Sequence, residues 1–456
     1  METLTIFGVK AQYMEDFREY LDKEELTNIH EYRLPVISRF NEVKDKKLHV
    51  IKVKDDSDFK RQAKRLVLDK PDDGFLKYLL KSKTIIDCRS KIQSINSVSS
   101  IADENSLQTD LLHLPDDIIS ILDMQRVFEE LEDYKSHRRY YNISVVVDKL
   151  PGILKTRDWY GFLIPKEQLV INTIAKLEAV TDFAIMALKS YMDKFYKYEK
   201  DRWEAPRLEY ALLGESDSNF VNEYSVVYEQ KDNTDTTKDE LKTFISDLAT
   251  MLKGNNGFDD SEKEYKHRNL IVFDFQSHLY VPLICLEKGN ISIHVSPVAL
   301  NHDEKRFVDY LKTYTKNHTT ELTGKTLYLL RNKSKVGMGF FEAGNFYPDY
   351  ILWIDTADTQ YITFIDPKGL IHILPNDPKI EFYKTIKELE TRLAPSAKGK
   401  KIVLNSFIMS GTSFNDLKTW WSGAGIEVSR SYCENRNVYM LEDSDCVELM
   451  IKKILK

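Results

Sequence analysis

The sequence of 456 residues has no long hydrophobic run and few cysteines, and each absence argues against a class of protein. No stretch approaches the ~20 consecutive apolar residues that cross a bilayer, and Glu2 stands where a basic secretion signal would begin. The four cysteines show no CxxC spacing, which argues against a disulfide framework and a zinc site: Cys88, Cys285, Cys433 and Cys446. We therefore expect a cytoplasmic protein with four reduced thiols and no membrane partner.

The sequence also lacks the basic excess that usually marks a nucleic-acid-binding protein, because its formal net charge is −7. Any nucleic acid would therefore have to bind to local patches. Basic residues are interleaved with aromatic residues at 135–141 and 194–203, and a further basic run occupies residues 398–401. Such patches can hold phosphates and stack bases, but runs of this kind are more often solvated helix faces.

An ATP-binding loop is absent as well. Gly324-Lys325-Thr326 resembles the end of a phosphate-binding loop, but Thr319 stands where that loop requires a glycine. The residues that follow, 327–330, predict a strand instead of the helix that such a loop precedes. We therefore expect no nucleotide-binding site of this type in the chain.

The length, together with 42% apolar and 30% charged residues, predicts two or three globular domains. Residues 1–110 mix strand, helix and linker patterns. Its predicted parts are strands at 4–9 and 47–53, a helix at 13–21 and a polar linker at 92–109.

Residues 111–265 predict a largely helical domain. A proline and two acids at 115–117 open a helix that runs to about residue 134. The apolar spacing predicts one long helix over 166–202. The remaining predicted elements are a strand at 224–228 and a helix at 238–252, and the polar run that follows predicts the domain boundary.

Residues 266–456 change to alternating strands and helices, which predicts an α/β or mixed α+β domain. The predicted strands are 270–273, 291–295, 327–330, 350–354, 361–365, 402–404 and 438–441. The predicted helices are 303–314, 381–393, 414–421 and 447–455. The residues that can carry chemistry concentrate in this region.

Two acidic residues stand at the ends of adjacent predicted strands in this domain. Asp349 follows Pro348 at the start of one strand and Asp366 ends the next, with turn-forming residues 355–358 between the strands. A hairpin would bring the two carboxylates to one end of the sheet, where they would repel each other unless they shared a cation. Oxygen ligands with open water positions suit Mg²⁺, with Mn²⁺ as an alternative. Lys368 lies on the same strand face as Asp366, where it would orient the attacking water or neutralise charge on a phosphate.

Each of these three residues alone has a structural explanation as a turn acid, a strand-end cap or a solvated lysine. In order, however, Pro348-Asp349 followed by Asp366-Pro367-Lys368-Gly369 resembles the bipartite PD-(D/E)xK motif of nucleases. Residues 345–353 are similar to the nuclease region of type III restriction subunits and related defence helicase-nucleases. The resemblance implies a restriction-endonuclease-like, three-layer nuclease domain that hydrolyses DNA phosphodiester bonds with the two acids and the lysine as catalytic residues. It is good over 301–369 and weak elsewhere.

Two further stretches carry the same resemblance. Residues 299–304 open a helix that resembles the first helix of that nuclease fold, which implies Glu304 as a third catalytic and metal-binding carboxylate, with Glu342 as the alternative. Residues 4–17 resemble the segment after the second motor domain of the same subunits, which implies that residues 1–110 form a post-motor connecting segment. The resemblance therefore implies DNA as the substrate and a helicase or ATPase motor as a partner, upstream in the same chain or as a separate subunit. A methyltransferase or other defence subunit is a further implied partner.

Two features depart from the motif. Asp366 stands where glutamate is commoner, so its carboxylate reaches about one methylene less far toward a metal. Pro367 removes a strand hydrogen-bond donor, which predicts that the strand ends or lies at an edge there. The alternative function is therefore a catalytically inactive nuclease fold that binds DNA or serves as a scaffold. His278 and His372 flank predicted strands, but lone histidines are more often packing or surface residues than metal ligands.

Overall fold

The computed structural model describes residues 29–81, 83–87, 111–164, 169–230, 236–255, 257–258, 260, 262–289, 293–333, 337–340, 346–371, 373–397, 399–422 and 427–456. The elements predicted at 4–9 and 13–21 and the linker predicted at 92–109 lie outside the described residues, as do Cys88, Glu342, His372 and Lys398.

Contacts divide the chain into two compact units. The first unit contains the described residues up to Lys52 together with Glu209–Lys456, and the second contains Val53–Leu208. These boundaries differ from the predicted ones at 110/111 and 265/266, because strand pairing joins an early segment of the chain to a late one. Ile29–Pro35 pairs antiparallel with Glu223–Glu229, a long-range contact that local sequence patterns do not reveal.

The described elements form a mixed α/β protein with several small sheets. The first unit begins with β1 (Ile29–Pro35), β2 (Ile37–Ser38), α1 (Phe40–Val43) and β3 (His49–Val53). The second unit contains α2 (Phe59–Gln62), β4 (Leu66–Val67), α3 (Asp73–Lys81), β5 (Thr84–Asp87), β6 (Leu111–Leu112), α4 (Asp116–Ile121), α5 (Met124–Arg138), β7 (Ile143–Ser144), α6 (Leu150–Lys155), β8 (Tyr160–Leu163) and α7 (Ile174–Glu204).

The chain then completes the first unit. Its strands are β9 (Leu208–Leu212), β10 (Glu223–Glu229), β11 (Glu264–His267), β12 (Leu270–Phe273), β13 (Tyr280–Val281), β14 (Leu283–Leu286), β15 (Ile293–Ser296), β16 (Thr326–Arg331), β17 (Tyr350–Asp355), β18 (Thr359–Lys368), β19 (Lys401–Ser410) and β20 (Val438–Met440). Its helices are α8 (Thr237–Asn255), α9 (His302–Asn317), α10 (Pro378–Leu393), α11 (Phe414–Ser422), α12 (Arg430–Asn435) and α13 (Cys446–Ile454). Within the described ranges, no helix combines the length and the apolar character that a membrane span requires.

The second unit is organised around the long helix α7. The helix begins at Ile174, later than the predicted residue 166, because the Thr173 side chain accepts a hydrogen bond from the backbone N–H of Lys176 and caps it. Ala184, Leu188 and other apolar residues at helical spacing are fully buried. The predicted long helix is therefore a core element, and α5 packs against it.

The single helix predicted from residue 115 to about 134 is wrong, because the structure has two helices there. Leu122 ends α4 in an extended conformation with ψ of 144°. Asp123 then caps α5 by accepting a hydrogen bond from the N–H of Arg126 at 3.0 Å. An aspartate at this position competes with helix continuation because its side chain satisfies a free N–H group at a helix start.

The basic runs of the second unit are neutralised within it. Arg138 forms an ion pair with Asp193 at 2.9 Å, and the Tyr134 and Tyr140 hydroxyls donate to the same carboxylate. Lys197 pairs with Asp201 at 2.9 Å. These contacts favour the interpretation of both runs as helix surfaces over that of a phosphate-binding patch.

The N-terminal strands are built into the first unit by buried polar contacts. The Arg39 guanidinium pairs with Asp274 at 2.6 Å, with both side chains buried. The Trp353 indole N–H donates to the carbonyl of His49 at 2.7 Å. In the small sheets of this unit, β10 lies between β1 and β15, β12 lies between β11 and β14, β2 pairs with β13, and β3 pairs with β9.

The largest sheet has the strand order β16-β17-β18-β19-β20. Pairing is antiparallel from β16 to β18 and parallel from β18 to β20. Helices α9, α10 and α13 pack on this sheet, so β17 and most of β18 are buried on both faces. A strand covered on both faces needs a continuous apolar run, which explains why the sequence predicts these strands correctly.

Candidate functional site

The two acids of the motif meet at one end of the largest sheet. β17 and β18 pair in antiparallel register with Tyr350 opposite Ile365. Asp349 immediately precedes β17, and Asp366 immediately follows Ile365 in β18, so the two acids stand side by side where β17 begins. The predicted hairpin is confirmed, and it brings together the two carboxyl groups that are far apart in a linear reading of the chain.

The local sequence explains both the turn and the end of the hairpin. Thr356 and Thr359 close the turn, since the Thr356 hydroxyl donates to the Thr359 carbonyl at 2.8 Å and accepts from the Thr359 N–H at 3.0 Å. Beyond Ile365, β18 keeps β19 as a partner but has none on the β17 side. Pro367 lies in this single-sided stretch, so the prediction of an edge or a strand end at the proline is confirmed.

The carboxyl groups of Asp349 and Asp366 perturb each other. Burial raises the pKa of Asp349 well above its ordinary value, and the neighbouring charges of Asp366 and Glu304 raise it further. The Asp349 and Asp366 side chains are also within hydrogen-bond contact. Two carboxyl groups in direct contact repel each other when both are ionised, so they must share either a proton or a cation.

Lys368 lies against the same pair. Its Nζ is 2.7 Å from Asp366 Oδ2, and the Asp366 residue is only 3% exposed. Burial, the largest single influence, would lower the pKa of Lys368, but the contact with Asp366 and the charges of Asp366, Asp349 and Asp377 together raise it. No donor is aligned for a hydrogen bond to this buried Oδ2, although the ammonium is near. The oxygen therefore keeps a lone pair available for a ligand.

Glu304 lies in the first turn of α9 and reaches the same cleft, but its carboxylate has other partners. Asn301 and Glu304 form a capping box, in which Glu304 Oε2 accepts from the Asn301 N–H at 2.9 Å. Arg331 contacts the same oxygen at 3.2 Å. Burial raises the pKa of Glu304 despite the nearby guanidinium.

No three carboxylate, histidine or cysteine side chains among the described residues form a metal-binding group. The structure thus places Asp349 and Asp366 together as a pair, with Glu304 nearby but bound to Arg331. The role of Glu304 as a third metal ligand stays a prediction, and its alternative, Glu342, lies outside the described residues.

The acid pair faces a cleft of about 660 Å³. Its charged lining residues come from five segments of the first unit: Lys288, Asp303, Glu304, Asp349, Asp366, Lys368 and Lys379. A cleft of this size with polar walls admits a small polar ligand or a short segment of a larger one.

The sequence analysis missed Lys379. This residue lies in the first turn of α10, which is capped by the Asp377 carboxylate through the backbone N–H of Lys379 at 2.9 Å. Its ammonium is 6.0 Å from the centroid of the Phe346 ring, and that of Lys368 is 5.9 Å from the same centroid. Burial, followed by the charge of Lys368, lowers the pKa of Lys379. The one feature of the sequence that could have indicated Lys379 is its place at the start of the predicted helix that follows the motif strand.

Asp303 was also missed, although it is the neighbour of Glu304. A Cβ placed on Gly411 would lie 1.9 Å from Asp303 Oδ2, so the carboxylate sits directly against the backbone at the end of β19. Gly411 donates its N–H to the Lys368 carbonyl at 2.9 Å. Only glycine leaves room for this approach, which links the position of Asp303 to the strand that carries Lys368.

The other candidates have structural roles. His278 is fully buried, its Nε2 accepts from the Arg331 N–H at 3.2 Å, and burial lowers its pKa to about 3. Gly324 has φ of 73° and leads into β16 instead of a helix, which excludes a phosphate-binding loop there. The three described cysteines are buried free thiols: Cys285, Cys433 and Cys446.

Comparison of the chain with protein families, with curated proteins and with solved structures found no match. The resemblance to helicase-nucleases, which depends on the motif and its surroundings, therefore stays a prediction.

Proposed function

We propose that this chain is a Mg²⁺-dependent DNA endonuclease module of the PD-(D/E)xK type, with a restriction-endonuclease-like nuclease domain in the region from residue 266 onward. The observation that carries the proposal is the meeting of Asp349 and Asp366 beside Lys368 at one end of a sheet, inside a polar cleft. Each residue alone has a structural explanation. A buried acid in contact with a half-buried one, with a lysine against them, is expensive to maintain unless the pair binds a ligand.

The residues present fit a hard divalent cation. Asp366 Oδ2 is buried without an aligned hydrogen-bond donor, and Asp349 is held in contact with it by the strand register. A cation between them would replace the proton that the pair otherwise needs. Mg²⁺ is commonly held by one or two carboxylates together with waters and phosphate oxygens, so the Asp349 and Asp366 pair provides enough protein ligands for this ion. Mn²⁺ suits the same ligands.

The chain's own residues supply the remaining functions. Bound Mg²⁺ would polarise the scissile phosphate and lower the pKa of a bound water. Asp349 and Asp366 would hold the ion, and Lys368 would orient the attacking water or neutralise charge that develops on the phosphate. The Arg331 guanidinium forms an ion pair with Glu304, and this contact restrains the Glu304 carboxylate in the lining of the cleft.

The wider biological role follows the same resemblance. We propose that the module belongs to a restriction or phage-defence helicase-nuclease and works with a helicase or ATPase motor, in the same chain or as a separate subunit. A methyltransferase or other defence subunit is a further proposed partner, and the cytoplasm is the proposed location. Antiviral cleavage of foreign DNA is the activity that such an assembly would perform.

Plasmid cleavage in Mg²⁺ tests the proposal. We expect the wild-type protein to cut plasmid DNA, and Asp349→Ala and Lys368→Ala to abolish cutting while their unfolding temperatures change little. Asp358→Ala, an exposed acid in the turn at the other end of the hairpin, is the matched control and should cut like the wild type. Equal cutting by all four proteins would remove the assignment of the site.

A catalytically inactive, DNA-binding or scaffold role is the second candidate. It is favoured by the ammonium of Lys368 at 2.7 Å from Asp366 Oδ2, where it competes with a cation, and by the arginine partner of Glu304. DNA binding that is independent of divalent ions and never followed by cleavage would support this candidate over the nuclease.

A further inference from the structure

A second lysine faces the acid pair from an element outside the motif. Lys379 and Lys368 line the same cleft, and their ammonium groups lie at 6.0 and 5.9 Å from the centroid of the one Phe346 ring. Lys368 and Lys379 are also within side-chain contact of each other. The fold thus holds two ammonium groups together beside a buried aromatic side chain, in a setting where their repulsion is only weakly screened.

Only one of these two charges has an acidic partner. Lys368 pairs with Asp366 at 2.7 Å. Lys379 forms no ion pair in the part of the chain that the structure describes. The charges of Asp366 and Asp377 act on the Lys379 ammonium without forming an ion pair with it, and one Asp377 oxygen accepts from the backbone N–H of Lys379 instead. A half-buried ammonium that forms no ion pair within the described ranges favours an anionic ligand in the cleft.

We propose that Lys379 and Lys368 together bind one backbone phosphate of the DNA substrate, which makes Lys379 a second phosphate-contacting residue of this cleft. The proposal rests on the proposed function, because it takes a nucleic-acid strand as the occupant. A phosphate diester offers two anionic oxygens, so it can accept from both ammonium groups at once and relieve their repulsion. The Phe346 ring forms the apolar floor of the subsite, and Lys288 elsewhere in the cleft lining adds charge for the adjoining strand.

DNA binding without divalent ions isolates this contact. A short fluorescent duplex is titrated with wild type, Lys379→Met, Lys379→Arg and Lys387→Met over a series of salt concentrations in the presence of a chelator. Methionine removes the charge but keeps the apolar stem against Phe346. Lys387, an exposed lysine on the same helix paired with Glu390, provides the control.

We expect Lys379→Met to weaken binding about tenfold and to reduce the slope of log affinity against log salt by about one, as the loss of one phosphate contact requires. Lys379→Arg should restore most of the affinity, and Lys387→Met should behave like the wild type. Unchanged affinity and slope in Lys379→Met, with its circular dichroism spectrum and unfolding temperature unaltered, would overturn the assignment.

The same proteins separate this inference from the nuclease itself. If the wild type cuts plasmid DNA in Mg²⁺ and Lys379→Met binds and cuts equally well, the phosphate contact is refuted while the nuclease stands. If the wild type never cuts but Lys379→Met lowers the salt slope, the nuclease is refuted while the phosphate contact stands. A wild-type protein that binds no DNA refutes the phosphate contact.

Discussion

The two ends of the β17–β18 hairpin carry similar residues in different states. At the turn end, Asp355 is 8% exposed and lies beside Lys400. At the opposite end, Asp366 is 3% exposed and lies beside Lys368. Both ends therefore contain a buried aspartate paired with a lysine, and the two ends differ in how the aspartate is hydrogen-bonded and in what surrounds it.

The turn end is fully satisfied. Lys400 donates to both Asp355 carboxylate oxygens at 2.9 Å, and the Gln360 amide donates to Oδ1 at 3.1 Å. The side-chain oxygen Oε1 of Gln360 in turn accepts from the backbone N–H of His49 at 2.7 Å, which links this network to the N-terminal strands. Such a network stabilises a fold, and it leaves neither Asp355 oxygen without a hydrogen bond that a ligand could supply.

The opposite end is left incomplete. Among the described residues Asp366 Oδ2 has no aligned donor and Lys379 forms no ion pair, and a second acid, Asp349, lies against Asp366. The comparison teaches that burial and an ion pair do not by themselves identify a functional acid. The proposed function of the Asp366 end is supported instead by an unsatisfied hydrogen-bonding group with repelling neighbours in an accessible cleft.

The sharpest way to break this comparison is to neutralise one acid at each end. Asp366→Asn should lower the rate of Mg²⁺-dependent plasmid cleavage by at least about a hundredfold, because the amide cannot replace an anionic metal ligand. Asp355→Asn should keep a rate within about threefold of the wild type, since it lies outside the cleft. Rates are measured by gel under single-turnover conditions. A similar loss in both variants would mean that the rate reports folding and not the site.

The next largest effect is on the free energy of unfolding, and we expect it at the turn end of the hairpin instead of at the Asp366 end. Asp355→Ala removes the acceptor of three hydrogen bonds and leaves Lys400 and Gln360 without it, so we expect the free energy of unfolding to fall by about 2 kcal/mol. Asp358→Ala in the exposed turn should change it by less than about 0.5 kcal/mol. Urea denaturation of both variants provides the measurement. A loss in Asp358→Ala as large as that in Asp355→Ala would show that the turn, and not the buried network, stabilises this end.

Local patterns in the sequence were sufficient to predict the strands that position the acids. The apolar run of Tyr350–Asp355 and the turn residues before Thr359–Lys368 predicted a hairpin, and a hairpin necessarily brings Asp349 near Asp366. The motif order then identified Lys368. The strand and hairpin predictions succeeded because each depends on short-range geometry, namely strand alternation and turn chemistry, whereas the role of Lys368 stays a prediction.

The features that the sequence did not reveal depend on long-range packing. Lys379 reaches the cleft because α10 packs on the sheet, and Arg331 reaches Glu304 from a different strand. The placement of residues 29–52 with the late part of the chain depends on β1 pairing with β10. No local pattern specifies which distant side chain supplies a charge, so the partners of the acids and the unit boundaries were out of reach of the sequence alone.

A smaller effect is expected from relieving the repulsion at the site end. Asp349→Asn replaces a carboxyl group that is kept in contact with another by an amide that can donate to it. In metal-free buffer at neutral pH, we expect this variant to be more stable than the wild type by about 1 kcal/mol, since functional sites commonly sacrifice stability. Urea denaturation in a chelator measures the difference. An equally large gain in Asp355→Asn would cancel the contrast between the two ends.

The smallest effect is the pH dependence of the stability gained by Asp349→Asn. The sign of this dependence follows from the raised pKa of Asp349. In the unfolded chain the carboxyl group titrates near its ordinary value of about 4, whereas in the folded protein burial and Asp366 keep it protonated to higher pH. Between these two values the folded state holds a proton that the unfolded state has lost, so the unfolding free energy of the wild type falls as pH rises.

Asparagine cannot titrate, and the other acids are common to both proteins. The stability difference between Asp349→Asn and the wild type should therefore be smallest near pH 4 and should widen as pH rises toward the folded-state pKa of Asp349. A difference that is constant with pH would show that Asp349 ionises normally, and the site end would then be as well satisfied as the turn end.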